Sequence, residues 1–276
     1  MDAMKMRNLG CFIFLWLLVG VLPKAWAQTL AVGGTGSSGP LMQVLFDEYR
    51  KQAPGVSFHL VTPPLGSNGG MKALEVGRID LAVAGRPLEP EELTRFGSSF
   101  PLADTPFVMA SLDGQRRNGF SLPELASVYD NNLQKWDSGA RIRLVLRGSF
   151  ESDTLMLKSM SSDMAHAVDI ASHRPGMVYT ESDLSTVALL TKTPDALAPT
   201  TLGLLATLGV DLKVFPLDGV TPSIVTLKSG TYPWYKRLTV ILPKQPSTVA
   251  QDFATFLRSL QARGVMEQYQ YLPVVK

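Results

Sequence analysis

The sequence predicts an α/β protein of two lobes, each a mostly parallel sheet flanked by helices, and three observations predict it. Leu30 to Val32 run into a glycine-rich turn and then into an amphipathic segment, so strand, tight loop and helix follow within 20 residues. A second strand, loop and helix and then a third strand follow, giving the order βαβαβ by Ala84, which places loops at the C-terminal ends of parallel strands. Strand-like and helix-like segments then continue to the C-terminus without an internal repeat or low-complexity linker, so the chain should cross between lobes more than once.

The elements follow in order. Leu41, Val44, Leu45 and Tyr49 recur at helical spacing, and Pro54-Gly55 ends that helix. Val56 to Val61 alternates as a strand. Pro63 to Gly70 is a second small-residue loop, and Met71 to Val76 is a short helix closed by Gly77. Ile79 to Ala84 reads as a buried strand that Arg86-Pro87 breaks. Phe107 to Ala110 and Ile142 to Leu146 are strands, the latter running into Arg147. Leu122 to Tyr129 and Leu155 to Ile170 have helical spacing. Gly176 to Thr180 is a short strand, Leu184 to Leu190 is apolar, and Arg237 to Leu242 is a strand. Val249 to Leu260 is an amphipathic helix with Phe253, Phe256, Leu257 and Leu260 on one side.

The N-terminus speaks for export. Lys5 and Arg7 precede a charge-free run from Leu9 to Leu22, and Ala25-Trp26-Ala27 supplies small residues, the layout of a signal peptide cut after Ala27. That run is shorter than the roughly 20 residues a spanning helix needs, although a retained anchor is the alternative. Cys11, the single cysteine, opens the run, where a lipidated cysteine would close it. Without residues 1–27 the chain is neutral and has no cysteine. A neutral chain lacks the electrostatic footprint of a nucleic-acid binder, and a core rather than disulfides must hold it together.

Gly34-Thr35-Gly36-Ser37-Ser38-Gly39 satisfies the dinucleotide fingerprint G-x-G-x-x-G. That site also needs an acid at the end of the second strand to hold the ribose. Here the strand ends in Val61-Thr62-Pro63, while Asp47 and Glu48 lie within the intervening helix. The glycines still turn backbone N–H groups toward one point at a helix N-terminus, and Thr35, Ser37 and Ser38 add hydroxyls, which suits an anion. Ser67-Asn68-Gly69-Gly70 repeats the recipe, with Ser67 placed to cap the next helix. Arg147, followed by Ser152-Asp153-Thr154, offers a guanidinium for bidentate oxyanion contact. Singly, each has a bland reading as a cap or a surface arginine; jointly they make an anion site.

The ordered segments GTGSSGPL, GSNGGMKAL, GRIDLAVAGRPL, KWD, RGSFESDT, RPGMVYTE, DGVTPS, SGTYPWYKRLTVILPK and YLPVV resemble the phosphate-binding proteins of ABC transporters, the PstS-like periplasmic solute-binding group, over nearly the whole exported chain. The resemblance implies a two-lobed clamshell, with lobe 1 at residues 28–107 and 230–276 and lobe 2 at 108–229. It would close on a tetrahedral oxyanion, foremost inorganic phosphate. By motif, the ligand-binding positions fall on Thr35, Gly36 and Ser37, on Ser67, on Arg147, and on Ser152 and Thr154. The closed form would be a periplasmic monomer, read by an ABC permease in the inner membrane.

Two departures stand out. The third loop is one residue longer than the usual R-x-D-G-S-G-T. The family aspartate after the third strand, which accepts the proton that phosphate carries and sulfate lacks, is here Gly85, followed by Arg86. Asp153 is a candidate substitute. The alternative is a PstS-like signalling or scaffold protein with weak or different oxyanion binding, such as sulfate or molybdate. An enzyme reading finds no G-x-S-x-G elbow and no catalytic base. His59, His166 and His173 stand alone, so no metal or cofactor is expected. Trp136 and Trp234 are expected to pack under loops, with Tyr232 to Tyr235 near the hinge.

Overall fold

The computed structural model describes residues 28–113 and 117–274, so the expected signal peptide and Cys11 lie outside the described residues. The chain opens with β1 (Gln28–Gly34), α1 (Gly39–Tyr49), β2 (Val56–Leu60), α2 (Gly66–Glu75) and β3 (Leu81–Ala84). β1 pairs in parallel with both β2 and β3, giving the βαβαβ unit. α1 buries Leu41, Met42, Leu45, Phe46 and Tyr49. Their three- and four-residue spacing puts them on one helix face, where Phe46 and Tyr49 meet Phe253.

A short α3 (Pro90–Arg95) leads into β4 (Ser98–Ser111), much longer than the expected Phe107 to Ala110. Its extra length has a reason in its partners. β4 runs antiparallel to β9 (Tyr235–Leu242) from Ser98 to Pro106, and to β7 (Ala196–Thr201) from Phe107 to Ala110. It therefore carries the chain from one lobe to the other, and β9 brings it back. Arg237 grips Asp104 with two bonds, of 2.8 and 2.7 Å, directly across this ladder.

Between the crossovers lie α4 (Leu122–Tyr129), β5 (Arg143–Arg147), α5 (Ser152–Ser159), α6 (Ser162–His173), β6 (Val178–Thr180) and α7 (Asp183–Leu190). After β7 come α8 (Leu202–Leu208), β8 (Lys213–Val214) and α9 (Ile224–Lys228); after β9 come α10 (Thr248–Leu257), α11 (Leu260–Gln268) and β10 (Leu272–Pro273). The strand path is β2-β1-β3-β9-β4-β7-β5-β6, a parallel trio at either end and the antiparallel crossovers between. One large core cluster unites Leu30 to Ala103 with Leu238 to Tyr271, and another unites Phe107 to Tyr232.

Three helix boundaries also differ from the sequence expectation. Leu155 to Ile170 is two helices rather than one, because Ser161 is extended and its side chain accepts from Met164 N–H, capping α6. The Val249 helix stops at Leu257, where Ser259 caps a separate α11. α2 begins at Gly66, not Met71, so Ser67 lies inside its first turn and Leu65 holds the cap position.

Candidate functional site

The loop after β1 is pinned to the end of β3. Thr35 N–H donates to the Val83 carbonyl over 2.9 Å, and Gly34 has φ of 141°, with no room for a Cβ against that carbonyl. This folds Thr35 and Ser37 inward, both buried, with their hydroxyls 3.1 Å apart. Tyr271 from the C-terminal segment donates to the Ser37 carbonyl at 3.0 Å and steadies the loop from behind. Gly36 faces the other lobe: a Cβ there would lie 3.0 Å from Asp183 Oδ2. Only glycine admits the N-terminus of α7 so closely.

Ser67 acts differently from the expected cap. Its Oγ accepts the Gly85 N–H at 2.9 Å, tying α2 to the residue after β3. Replacing Ser67 with alanine strands that N–H, and urea unfolding should show a loss of about 1 kcal/mol.

From the second lobe, Arg147 ends β5 and is buried, while Ser152, Asp153 and Thr154 form the first turn of α5. Thr154 donates to the Arg147 carbonyl at 3.3 Å, fixing strand end to helix start. Gly85 marks where the lobes meet. A Cβ on it would stand 3.1 Å from Thr35 Oγ1, 3.2 Å from Ser152 Oγ and 3.2 Å from Lys236 Cε. Thr35, Ser67 and Ser152, one from each loop, thus meet at Gly85, while Gly36 and Arg147 approach each other through Asp183. Two groups beside them, Lys236 and Asp183, were not singled out.

Lys236 has a readable signal. In β9 it alternates with Leu238, Val240 and Leu242, all buried, so a lysine occupies an inward position of a strand. A charge there must have partners. Its ammonium lies 2.7 Å from Asp183 Oδ1 and is ion-paired with Asp153 Oδ1. Asp183 opens α7 just after β6, behind the capping Ser182. Arg147 Nη2 lies 3.0 Å from Glu151 Oε2 and 3.8 Å from Asp183 Oδ2, and Nε lies 3.9 Å from Asp153 Oδ2.

The two acids titrate apart. Burial, then the charge of Asp183, pushes Asp153 up to about 6, against the pull of Lys236 and Arg147. Burial would raise Asp183 as well, but Lys236 and Arg147 hold it below its ordinary value. Burial lowers Lys236, and the two aspartates outweigh it, keeping the ammonium charged. The buried quartet is therefore neutral with Asp153 ionised and carries one positive charge with Asp153 protonated. Arg147 Nε and Nη1 remain buried without a hydrogen-bond partner. Such donors cost on the order of 1–3 kcal/mol each unless an acceptor reaches them.

His59, His166 and His173 are exposed, and no metal-holding group of side chains occurs among the described residues. Trp136 is buried, its Nε1–H donating to the Asp195 carbonyl at 3.1 Å. No helix among the described residues is long and apolar enough to cross a membrane.

The model of the PBP superfamily domain matches residues 23–260. Phosphate-binding protein PstS 2 of Streptococcus pneumoniae is 30% identical over 108 residues, which are 39% of this chain and 36% of that protein. The chain thus matches about a third of the length of this curated relative. A Clostridium perfringens protein, described as a phosphate ABC transporter substrate-binding protein and solved with bound phosphate, superposes with a TM-score of 0.77 at 16% identity, over 90% of this chain and 100% of that one. An ABC-type phosphate transport receptor from Vibrio cholerae gives 0.63 at 19% identity, over 89% and 99%. At these identities the superpositions establish the two-lobed fold.

Proposed function

Because the chain belongs to the PBP superfamily, we propose that it is an exported solute-binding protein that holds a tetrahedral oxyanion, foremost inorganic phosphate, between its lobes for delivery to an ABC permease. The observation that carries this reading is the buried Arg147, whose Nε and Nη1 are unpartnered and whose Nη2 lies 3.8 Å from Asp183 Oδ2, the carboxylate that the Gly36 turn of the first loop abuts. A guanidinium with two free donors is the group best matched to an oxyanion. Lys236 adds a second buried cation. The relatives named above support phosphate as the first ligand to try.

In this reading the lobes are residues 28–107 with 230–276, and 108–229; the two large core clusters support a division close to these bounds, with Phe107 and Tyr232 packed in the second cluster. Ligand contacts made to both lobes stabilise the closed form, a periplasmic monomer released by cleavage after Ala27. No bond is made or broken. The proton acceptor that Gly85 lacks is assigned to Asp153, whose carboxyl takes up a proton near pH 6.

One observation favours a second reading, a PstS-like scaffold or sensor with weak binding: Asp153, Asp183 and Glu151 already face the two cations. Calorimetric titration with phosphate, arsenate, sulfate and molybdate separates the two. Micromolar phosphate binding that vanishes in Arg147→Ala supports the transport reading. Binding only at millimolar phosphate supports the scaffold, and heat unchanged in Arg147→Ala rules out this site.

A further inference from the structure

Gly85 has a second consequence. On its outer side lies a cavity of about 440 Å³, walled by Pro87, Leu155, Met156, Pro233, Trp234 and Tyr235 and opening past Gly85 and Ser152. Gly85 and Ser152 also stand beside Thr35 Oγ1 and Lys236 Cε, so the cavity borders the anion site proposed above. Resting on the oxyanion reading above, we propose that the ligand is an oxyanion bearing an organic substituent, a phosphate monoester or phosphonate whose apolar group lies against Trp234.

Size and charge support this. Cavities of roughly 300–1,000 Å³ accommodate organic ligands, far more than a bare tetrahedral ion fills. Arg86 and Arg237 at the cavity wall are neutralised, by two bonds of 2.8 Å from Arg86 to Glu92 and by the pair of bonds from Arg237 to Asp104. The remaining charge on the wall is the carboxylate of Glu89, which disfavours a second anionic group. An uncharged substituent is what these walls accept. A monoester also keeps three terminal oxygens for Arg147 and the loop hydroxyls. Any side chain at position 85 would crowd this border, since its Cβ alone would meet Thr35, Ser152 and Lys236 at 3.1–3.2 Å.

The test is calorimetry of the mature protein at about pH 7.5 with inorganic phosphate and with phenyl phosphate, on the unmodified chain and on Trp234→Ala, Leu155→Ser and Arg147→Ala. Phenyl phosphate should bind at least about tenfold more tightly than phosphate. Trp234→Ala should remove most of that advantage and leave phosphate affinity unchanged. Leu155 is 45% exposed and outside the core clusters, so Leu155→Ser tests the cavity wall without disturbing the core, and it should reduce the advantage in the same sense. Phosphate binding that Arg147→Ala abolishes, with phenyl phosphate equal or weaker, overturns the substituent proposal and leaves the oxyanion reading standing. Equal losses for both ligands in Trp234→Ala also overturn it. No binding of either ligand overturns both.

Discussion

Lys236→Met should destabilise the protein by about 3–5 kcal/mol near neutral pH, the penalty for breaking a buried ion pair from one side. The lysine is 1% exposed and its ammonium sits between Asp153 and Asp183. Methionine has nearly the same length and fills the same space, so packing is conserved and charge is what changes. The buried quartet falls from neutral to one negative charge, and Arg147 faces both aspartates alone. The lysine's contribution should be undiminished at neutral pH. Its folded pKa lies above the ordinary lysine value. Stability from such a group is complete below the unfolded pKa and fades only as pH rises through the folded one. Acidification should narrow the deficit, because Asp153 can take up a proton and relieve the repulsion. Urea unfolding of both proteins at about pH 5 and pH 7.5 measures this. A deficit under about 1 kcal/mol at the higher pH would show that Lys236 does not hold the acids together.

The contrast between Arg147 and Lys236 shows what the sequence could reveal. Arg147 ends a predicted strand and precedes a run of hydroxyl residues, so pattern alone marked it as a candidate for an anion site. Lys236 falls between Tyr232 to Tyr235, read as near the hinge, and the strand read from Arg237, and its inward alternation with Leu238, Val240 and Leu242 was the available signal. Asp183 was harder to see. Its role depends on α7 of one lobe meeting Gly36 of the other, a contact between positions 147 residues apart along the chain that no local pattern encodes. The βαβαβ opening was legible because strand and helix periods alternate cleanly there. β7 and α8 were not, since Ala196 to Leu205 is almost wholly buried and mostly apolar through strand and helix start alike, and such a run has no period to read. Ser67 shows a subtler limit. A serine before a helix predicts a cap, but here the loop stays helical from Gly66 and frees the hydroxyl for Gly85 across the sheet end.

Asp153→Asn should flatten the stability profile between pH 4.5 and 7.5. In the folded protein the Asp153 carboxyl is raised to about 6 from an ordinary 3.8. The native state therefore binds a proton that the unfolded chain has released across this window. Stability from such a group is present at acid pH and lost as pH rises through the folded value, with a loss of about 2 kcal/mol from pH 4.5 to 7.5. Asp183 works in the opposite direction and outside the window. Its pKa is depressed, so what it contributes is lost only as pH falls below the ordinary carboxylate range. Asparagine keeps the shape of the protonated acid but cannot titrate, so the unmodified protein should lose about 2 kcal/mol more than the variant over the same range. Equal profiles would mean that Asp153 ionises freely inside the cleft. Under the proposed function, the same proton governs the charge an incoming anion would meet. With Asp153 protonated the quartet is net positive, and a protonated carboxyl can donate to a ligand oxygen instead of repelling it. Sulfate, ionised throughout the window, isolates the protein's share of this effect. It should bind more tightly at about pH 5 than at pH 7.5 in the unmodified chain, and with equal affinity at both in Asp153→Asn.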